Sequence, residues 1–571
     1  YEHNEIGMFL IPTAIADGDV TVDTKNVKRV KITKVVNLTE EYSDVAISLT
    51  NIPTSMYKTN ISSRMYVAYD DNGVTKYYYG EEIKRNFNAI NNSILSELVP
   101  SNLKVTGSTS NDYDDDPNTN SISYKTGETI TFEIKALYND MPVNGINLKW
   151  TIYQDGFATD ISNYTAVASG TAMSVATEPT KISYTPKDSD KLKVEDGGLV
   201  YLVVTPCDAN GKAYTDAKKF QGGAIYNADA IDASVLKDAA FDTFWQAQMD
   251  DVDAFFTEQV KSDLSVTLAE LNAGYELVYA NGDKISIKPA NSSVSGYSSM
   301  SSSYYCYEVR IEYGSSTGRA ASGFLAFPKN GSTYRKGIEF AGYNTGSAGS
   351  LWSVGDFAYI RAESHGIAYD DPETSRKNYN STYNEANFLF NYNNLSDAEL
   401  ANIAYDDNEF YHMYIRNIYM TRVLGYLNVE DRRYSGSYTS NGGSMGGLQN
   451  IVAMALDSLF DEHVLTSGSI NLAPWCVNMG SHTEGRITGW QPRSNVITNM
   501  NDALHFASLI KNTTFSFDMG LGDTTSPATG VVALYNELKD NQGVKVSMTV
   551  NQNKTHGAGD SSAPSFTVKN Y

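Results

Sequence analysis

Ser444 lies in the run Asn441-Gly442-Gly443-Ser444-Met445-Gly446-Gly447, which has a Gly-x-Ser-x-Gly spacing. A serine hydroxyl is a poor nucleophile until a base takes its proton. Small residues at these positions let a strand turn sharply into a helix and leave the hydroxyl exposed at the turn. The chain contains 43 glycines, so the spacing also arises by chance. It points to nucleophilic chemistry only if a base and an acid follow it.

The base is normally an imidazole held by a carboxylate, in the chain order Ser, Asp, His. Downstream, Phe515-Ser516-Phe517-Asp518-Met519-Gly520-Leu521-Gly522-Asp523 runs from a strand into a polar loop, and a helix is expected from Ala528 to Leu538. Asp523 sits in that loop, where a strand-end acid belongs. Asp518 is nearer the strand and reads as a structural hydrogen-bonding residue. Beyond it, Val544 to Val550 alternates as a strand and delivers His556 in Thr555-His556-Gly557. His505 falls inside a helical pattern from Ala503 to Ile510 and reads as a packing residue, while His365 follows a strand as a solvated loop residue or a second pocket residue. Met445, the first residue past the serine, offers a backbone N–H to a developing oxyanion.

The elements needed to position these groups are legible around them. Ser437 to Ser440 reads as a short strand, and Leu448, Ile451, Val452, Met454 and Leu456 give the following helix an apolar face. From Ala230 the apolar period turns helical through Phe241, Phe244, Trp245, Met249, Val252 and Phe256. Strands at Ser322–Phe327, Gly337–Phe340 and Phe357–Arg361 then precede a helix at Tyr411–Leu427, a βαβ rhythm that predicts a mainly parallel sheet.

Residues 1–101 read instead as a β-sandwich: Val45, Ile47 and Leu49 alternate, and Asp71-Asn72-Gly73 is a hairpin turn signal. Residues 102–228 read as a second, immunoglobulin-like sandwich with Ile130, Phe132, Ile134, Leu148, Trp150 and Ile152 on one side and alternation again from Gly198 to Thr205. Trp150 is expected in its core. Between the two, Asn111-Asp112-Tyr113-Asp114-Asp115-Asp116-Pro117-Asn118 reads as a boundary. Its oxygens could hold calcium or simply be solvated; the spacing of an EF-hand is absent.

The formal charge of −23 disfavours nucleic acid and anionic membranes as partners. No apolar run reaches the roughly 18 residues of a membrane helix, so no membrane insertion is expected. Three cysteines, Cys207, Cys306 and Cys476, imply neither a disulfide framework nor a zinc site. Forty tyrosines and few lysines fit a secreted protein that meets neutral polysaccharide. The chain starts at Tyr1 without Met or an apolar leader, as expected if a signal peptide was removed or the segment was trimmed. The expected location is extracellular or attached to a bacterial cell surface.

Over about residues 235–571 the chain resembles the acetyl xylan esterase and cephalosporin C deacetylase family, carbohydrate esterase family seven. The resemblance rests on Ala341-Gly342-Tyr343-Asn344, the aromatic helix from Phe410-Tyr411 to Leu427, Gly442-Gly443-Ser444-Met445-Gly446-Gly447, and Gly522-Asp523 to Tyr535-Asn536. Met445 stands where that family carries Gln, Arg361-Ala362-Glu363 where it has Arg-Gly-Gln, and Gly557 where Glu is common. The resemblance implies an α/β-hydrolase domain, placed at 229–571 behind the two N-terminal all-β sandwiches read from strand alternation. It also implies a Ser444, Asp523 and His556 triad, and an oxyanion hole from the backbone N–H groups of Tyr343 and Met445. The activity it implies is removal of acetyl groups from plant polysaccharide such as xylan, with no metal or organic cofactor. The hexameric rings of that family do not carry over, because two added modules need room; the modules either bind glycan or space the enzyme. The competing readings are a serine peptidase of the prolyl oligopeptidase kind and a non-catalytic glycan-binding adhesin.

Overall fold

The computed structural model describes residues 3–16, 18–32, 36–38, 43–44, 56–109, 123–154, 166–188, 193–232, 237–294, 296–314, 320–330, 333–340, 357–363, 366, 396–402, 404–406, 409–430, 432–457, 466–470, 499–524, 527–556 and 565–570. Tyr343, His365, Cys476 and the Asp112–Asp116 loop lie outside them.

At the N-terminal end, alternation builds one four-stranded antiparallel sheet from Lys28–Lys31, His3–Pro12, Ile61–Asp71 and Val74–Arg85, in that order. The turn joining the last two follows the sequence signal: Asn72 and Gly73 take φ of 55° and 83°, and Asp71 pairs with Val74. The described residues of this region also include a two-stranded antiparallel sheet, Val36–Leu38 with Ser43–Asp44. Phe9, Ile11, Tyr66 and Ala68 form a core with Val20 from the connecting segment, with Ala16, Val22 and Val27 against them. A helix, Phe87–Ser96, follows where only strands were expected. Asn86 caps it by accepting from the Ala89 N–H, and Ile94 and Leu95 pack on the next module.

In that next module two sheets face one another. One contains Leu103–Thr109, Ile130–Tyr138, Met141–Pro142 and Thr180–Tyr184. The other runs in the order Ala166–Met173, Asn147–Gln154, Gly198–Cys207, Phe220–Tyr226, Ser123–Tyr124. Trp150 is half-buried against their core. Gly198–Cys207 departs from the expected half-buried alternation. Val200, Leu202 and Val204 enter the core between the two sheets, while Leu199 and Tyr201 enter the core of the C-terminal sheet. Both faces of the strand are buried, which explains its nearly unbroken apolar run.

The C-terminal region is built on an eleven-stranded sheet. In chain order its strands are β1 (Tyr275–Val278), β2 (Lys284–Pro289), β3 (Tyr304–Glu312), β4 (Ala321–Pro328), β5 (Thr333–Phe340), β6 (Phe357–Glu363), β7 (Arg433–Gly442), β8 (Thr466–Ile470), β9 (Thr514–Gly520), β10 (Lys545–Asn551) and β11 (Ser565–Asn570). They lie in the spatial order β1-β2-β3-β4-β6-β5-β7-β8-β9-β10-β11. The centre, from β6 to β10, is parallel. The flanks are antiparallel, with β1 to β4 on one side and β11 on the other. The expectation of a mainly parallel sheet therefore describes its central part.

Helices Phe241–Phe255, Glu409–Tyr426, Met445–Leu456 and Ala528–Lys539 supply buried side chains to the same core. Trp245 is fully buried there, and its indole N–H donates to the Met500 carbonyl at 2.9 Å. The buried face of the Phe241–Phe255 helix consists of Phe241, Trp245, Met249 and Val252, the spacing read from the sequence.

Cys306 on β3 is buried among Ala290, Met300, Phe324 and Ala326, and that burial pushes its thiol up to about 11. Only the thiolate is nucleophilic. Cys306 is therefore expected to stay unmodified by iodoacetamide at pH 8 in the folded protein and to react fully once the chain is denatured. Peptide mass spectrometry reads both states.

Candidate active site

Because the central strands are parallel, their carboxyl ends all emerge on one edge of the sheet, where open α/β sheets place their sites. β7, β9 and β10 each end there, and the loops beyond them carry Ser444, Asp523 and His556 in turn.

Ser444 is the pivot between β7 and the helix Met445–Leu456, with φ 53° and ψ −123°. A non-glycine residue in that region is strained by about 1–3 kcal/mol. The turn is too tight for a side chain beside it: a Cβ on Gly442 would lie 2.1 Å from the Gly446 carbonyl oxygen. The glycine spacing thus reflects a close backbone approach. Met445 opens the helix, so its N–H has no acceptor within the helix, and the helix points its positive end at Ser444.

His556 Nε2 lies 3.1 Å from Ser444 Oγ, and His556 Nδ1 lies 3.0 Å from Asp523 Oδ2. A carboxylate can only accept, so Nδ1 carries the proton and Nε2 is free to take the one on Ser444 Oγ. Asp523 is 3% exposed, whereas His556 and Ser444 are half-buried. Three groups separated in the chain by 33 and 112 residues are thus brought into one hydrogen-bonded chain.

Asp518, the competing acid, is committed elsewhere. It forms an ion pair with Lys554 and accepts from Asn551 Nδ2. That pair ties the loop carrying His556 back to β9. His505 is buried in the helix Ala503–Ala507, edge-on to Phe241 at 5.9 Å, a packing position. Tyr343, the second expected oxyanion donor, lies outside the described residues. Among those described, no group of three or more His, Cys, Asp or Glu could hold a metal.

Two contacts at the site were not foreseen. The Tyr201 hydroxyl donates to the Asp523 carbonyl at 3.0 Å, and Gln221 Nε2 donates to the Gly522 carbonyl at 2.8 Å. The apolar run of Gly198–Val204 and the close glycine pair Gly222-Gly223 were the available signals, because both mark a strand with protein on each side.

The strand order from β3 to β10, the strained serine turn and the Ser–Asp–His chain order together define an α/β-hydrolase fold. No family model matches the chain, and no curated protein matches it. Among solved structures it is similar to acetyl xylan esterase 1 from Thermoanaerobacterium sp. JW/SL YS485, at 16% identity over 58% of this chain and 93% of that one, with a TM-score of 0.38. It is also similar to an acetyl xylan esterase from Paenibacillus sp. R4, at 15% identity over 58% and 93%, with a TM-score of 0.36. An acylaminoacyl peptidase in complex with Z-Gly-Gly-Phe-chloromethyl ketone aligns over 94% of this chain and 86% of its own, at 10% identity and a TM-score of 0.30. These likenesses are slight.

Proposed function

We propose that the chain is a secreted or surface-attached serine esterase that removes acetyl groups from acetylated polysaccharide such as xylan or its oligosaccharides. The observation that carries this reading is the His556 imidazole within hydrogen-bond distance of both Asp523 and Ser444, at 3.0 and 3.1 Å.

In the first half-reaction Ser444 Oγ attacks the acetyl carbonyl carbon while its proton passes to His556 Nε2. Asp523 holds the resulting imidazolium. The tetrahedral oxyanion accepts from the Met445 N–H and, as the family resemblance implies, from that of Tyr343; each such donor contributes about 3 kcal/mol. Collapse breaks the ester C–O bond, the departing sugar oxygen takes the proton from His556, and the acetyl group stays on Ser444. Water then attacks the acyl carbon and gives a proton to His556, that proton passes to Ser444 Oγ as the acyl–oxygen bond breaks, and acetic acid leaves. Atoms and charge balance without a metal or organic cofactor.

The choice of acetylated glycan is supported by the runs Ala341–Asn344, Gly442–Gly447 and Asp523–Asn536 and by the acidic, tyrosine-rich composition. No described helix is long and apolar enough to cross a membrane.

The test is a substrate panel of acetylated xylan oligosaccharides, other acetylated glycans, feruloylated glycans and acylated peptides, with acid and sugar release measured by chromatography. The expected result is the highest kcat/KM on acetylated xylan oligosaccharides. Preferential cleavage of the peptides would replace this reading with that of a serine peptidase. Inactivity on every ester would leave a glycan-binding protein.

A further inference from the structure

We infer that the outer face of the second β module is a positioning platform for the acid loop, with Tyr201 and Gln221 aiming Asp523 at His556. This rests on the reading of Ser444, Asp523 and His556 as a triad.

Asp523 is a loop residue, and a loop by itself holds a carboxylate poorly. Within its own domain the loop is anchored by Asp523 N–H to the Gly520 carbonyl at 3.2 Å and by Gly522 N–H to the Lys554 carbonyl at 3.1 Å. Both bonds engage N–H groups; the carbonyls of Gly522 and Asp523 accept from the second module.

The second module supplies those donors. Its strands Gly198–Cys207 and Phe220–Tyr226 run antiparallel with Tyr201 opposite Gly223 and Val203 opposite Gln221. Side-chain alternation sends Tyr201, Gln221 and Gly223 to the side away from the module's own core. Tyr201 is fully buried and donates to the Asp523 main-chain carbonyl oxygen, two bonds from the Cα where the carboxylate side chain branches.

The fit is close enough to exclude side chains from both partners. A Cβ on Gly522 would fall 2.2 Å from the Gln221 carbonyl oxygen, and one on Gly223 would fall 2.5 Å from the Leu521 carbonyl oxygen. Gln552, on the His556 loop, is gripped in the same way: its Oε1 accepts from the Thr109 N–H and its Nε2 donates to Thr109 Oγ1, both at 3.0 Å. One module therefore touches the loops of the acid and of the base, and fixes their separation. Neither Tyr201 nor Gln221 touches the reacting atoms, so both are positioning residues.

The experiment uses the full chain. Tyr201→Phe removes one hydroxyl at nearly constant volume, and Gln221→Leu removes one donor from a half-buried side chain, each alone and in the Asp523→Asn background. With Asp523 present, the concentration of reactive Ser444 is titrated with a fluorophosphonate and kcat is expressed per titrated serine; in the Asp523→Asn background, where the serine is not activated, kcat is expressed per folded protein. Each single variant is expected to lower kcat per titrated serine by about 5- to 10-fold with KM unchanged, the size of one lost hydrogen bond. In the Asp523→Asn background the same substitutions are expected to lower kcat by less than about 2-fold, because they act through the acid.

A merely structural role would lower the titratable fraction and leave kcat per serine unchanged. That result, or equal effects in both backgrounds, would overturn the proposal. Failure of the unsubstituted chain to react with fluorophosphonate at Ser444 would overturn the triad reading itself, a distinguishable outcome.

Discussion

Replacing Ser444 with Ala is expected to lower kcat for ester hydrolysis by about 10⁶-fold, a loss of roughly 8 kcal/mol of transition-state stabilisation. Only Oγ is removed. Alanine keeps the Cβ, so the backbone at φ 53° is no more strained than before. The glycine contacts that shape the turn belong to Gly442 and Gly446 rather than to the serine hydroxyl. Folding should be preserved, with an unchanged melting temperature, and the whole effect should fall on the acyl transfer. The oxyanion donors persist, so a residual rate of about 10³ to 10⁴ over water is expected. The measurement is steady-state acetate release together with a thermal melt of the same sample.

Asp523→Asn is expected to lower kcat by about 10⁴-fold through a change of tautomer. An amide NH₂ facing His556 Nδ1 makes that nitrogen the acceptor and moves the ring proton to Nε2. Nε2, 3.1 Å from Ser444 Oγ, then cannot take the serine proton. The substitution is nearly isosteric at a position 3% exposed, so it disturbs packing little. Asp518→Asn is the contrast. It breaks the ion pair to Lys554 without touching the imidazole, so it is expected to lower the melting temperature while kcat stays within a few-fold of the original. Equal losses of kcat from the two substitutions would contradict the assignment of Asp523 over Asp518.

Ser444, Asp523 and His556 were legible in the sequence because each is announced by its own neighbours. The serine stands among glycines that only a tight strand-to-helix turn requires, and the other two follow alternating strands in the Ser, Asp, His order. What local patterns could not reveal is contact across long separations. Tyr201 and Asp523 are 322 residues apart in the chain, and nothing near either one announces the other. The two-sided burial of Gly198–Cys207 was written in its apolar run, which a reading for period-two alternation passes over. The helix Phe87–Ser96 was hidden because its Asn-rich sequence has low intrinsic helix preference. It forms where the Asn86 cap and the packing of Ile94 and Leu95 on the second module outweigh that preference. Strand direction was inferred from a βαβ rhythm that holds only where helices separate the strands. β1 to β4, whose described connections carry only the short helix Tyr297–Met300, pair antiparallel.

Rapid acid quenching during turnover of an activated acetyl ester, followed by peptide mass spectrometry, tests the central claim most directly. The account predicts one acetyl group on the peptide that contains Ser444. It should accumulate within a single turnover in the unsubstituted protein, persist in His556→Ala only to the extent that acylation still occurs, and be absent from Ser444→Ala. Ester hydrolysis without any acetylation of Ser444, or acetylation of another residue that turns over at the rate of catalysis, would contradict it.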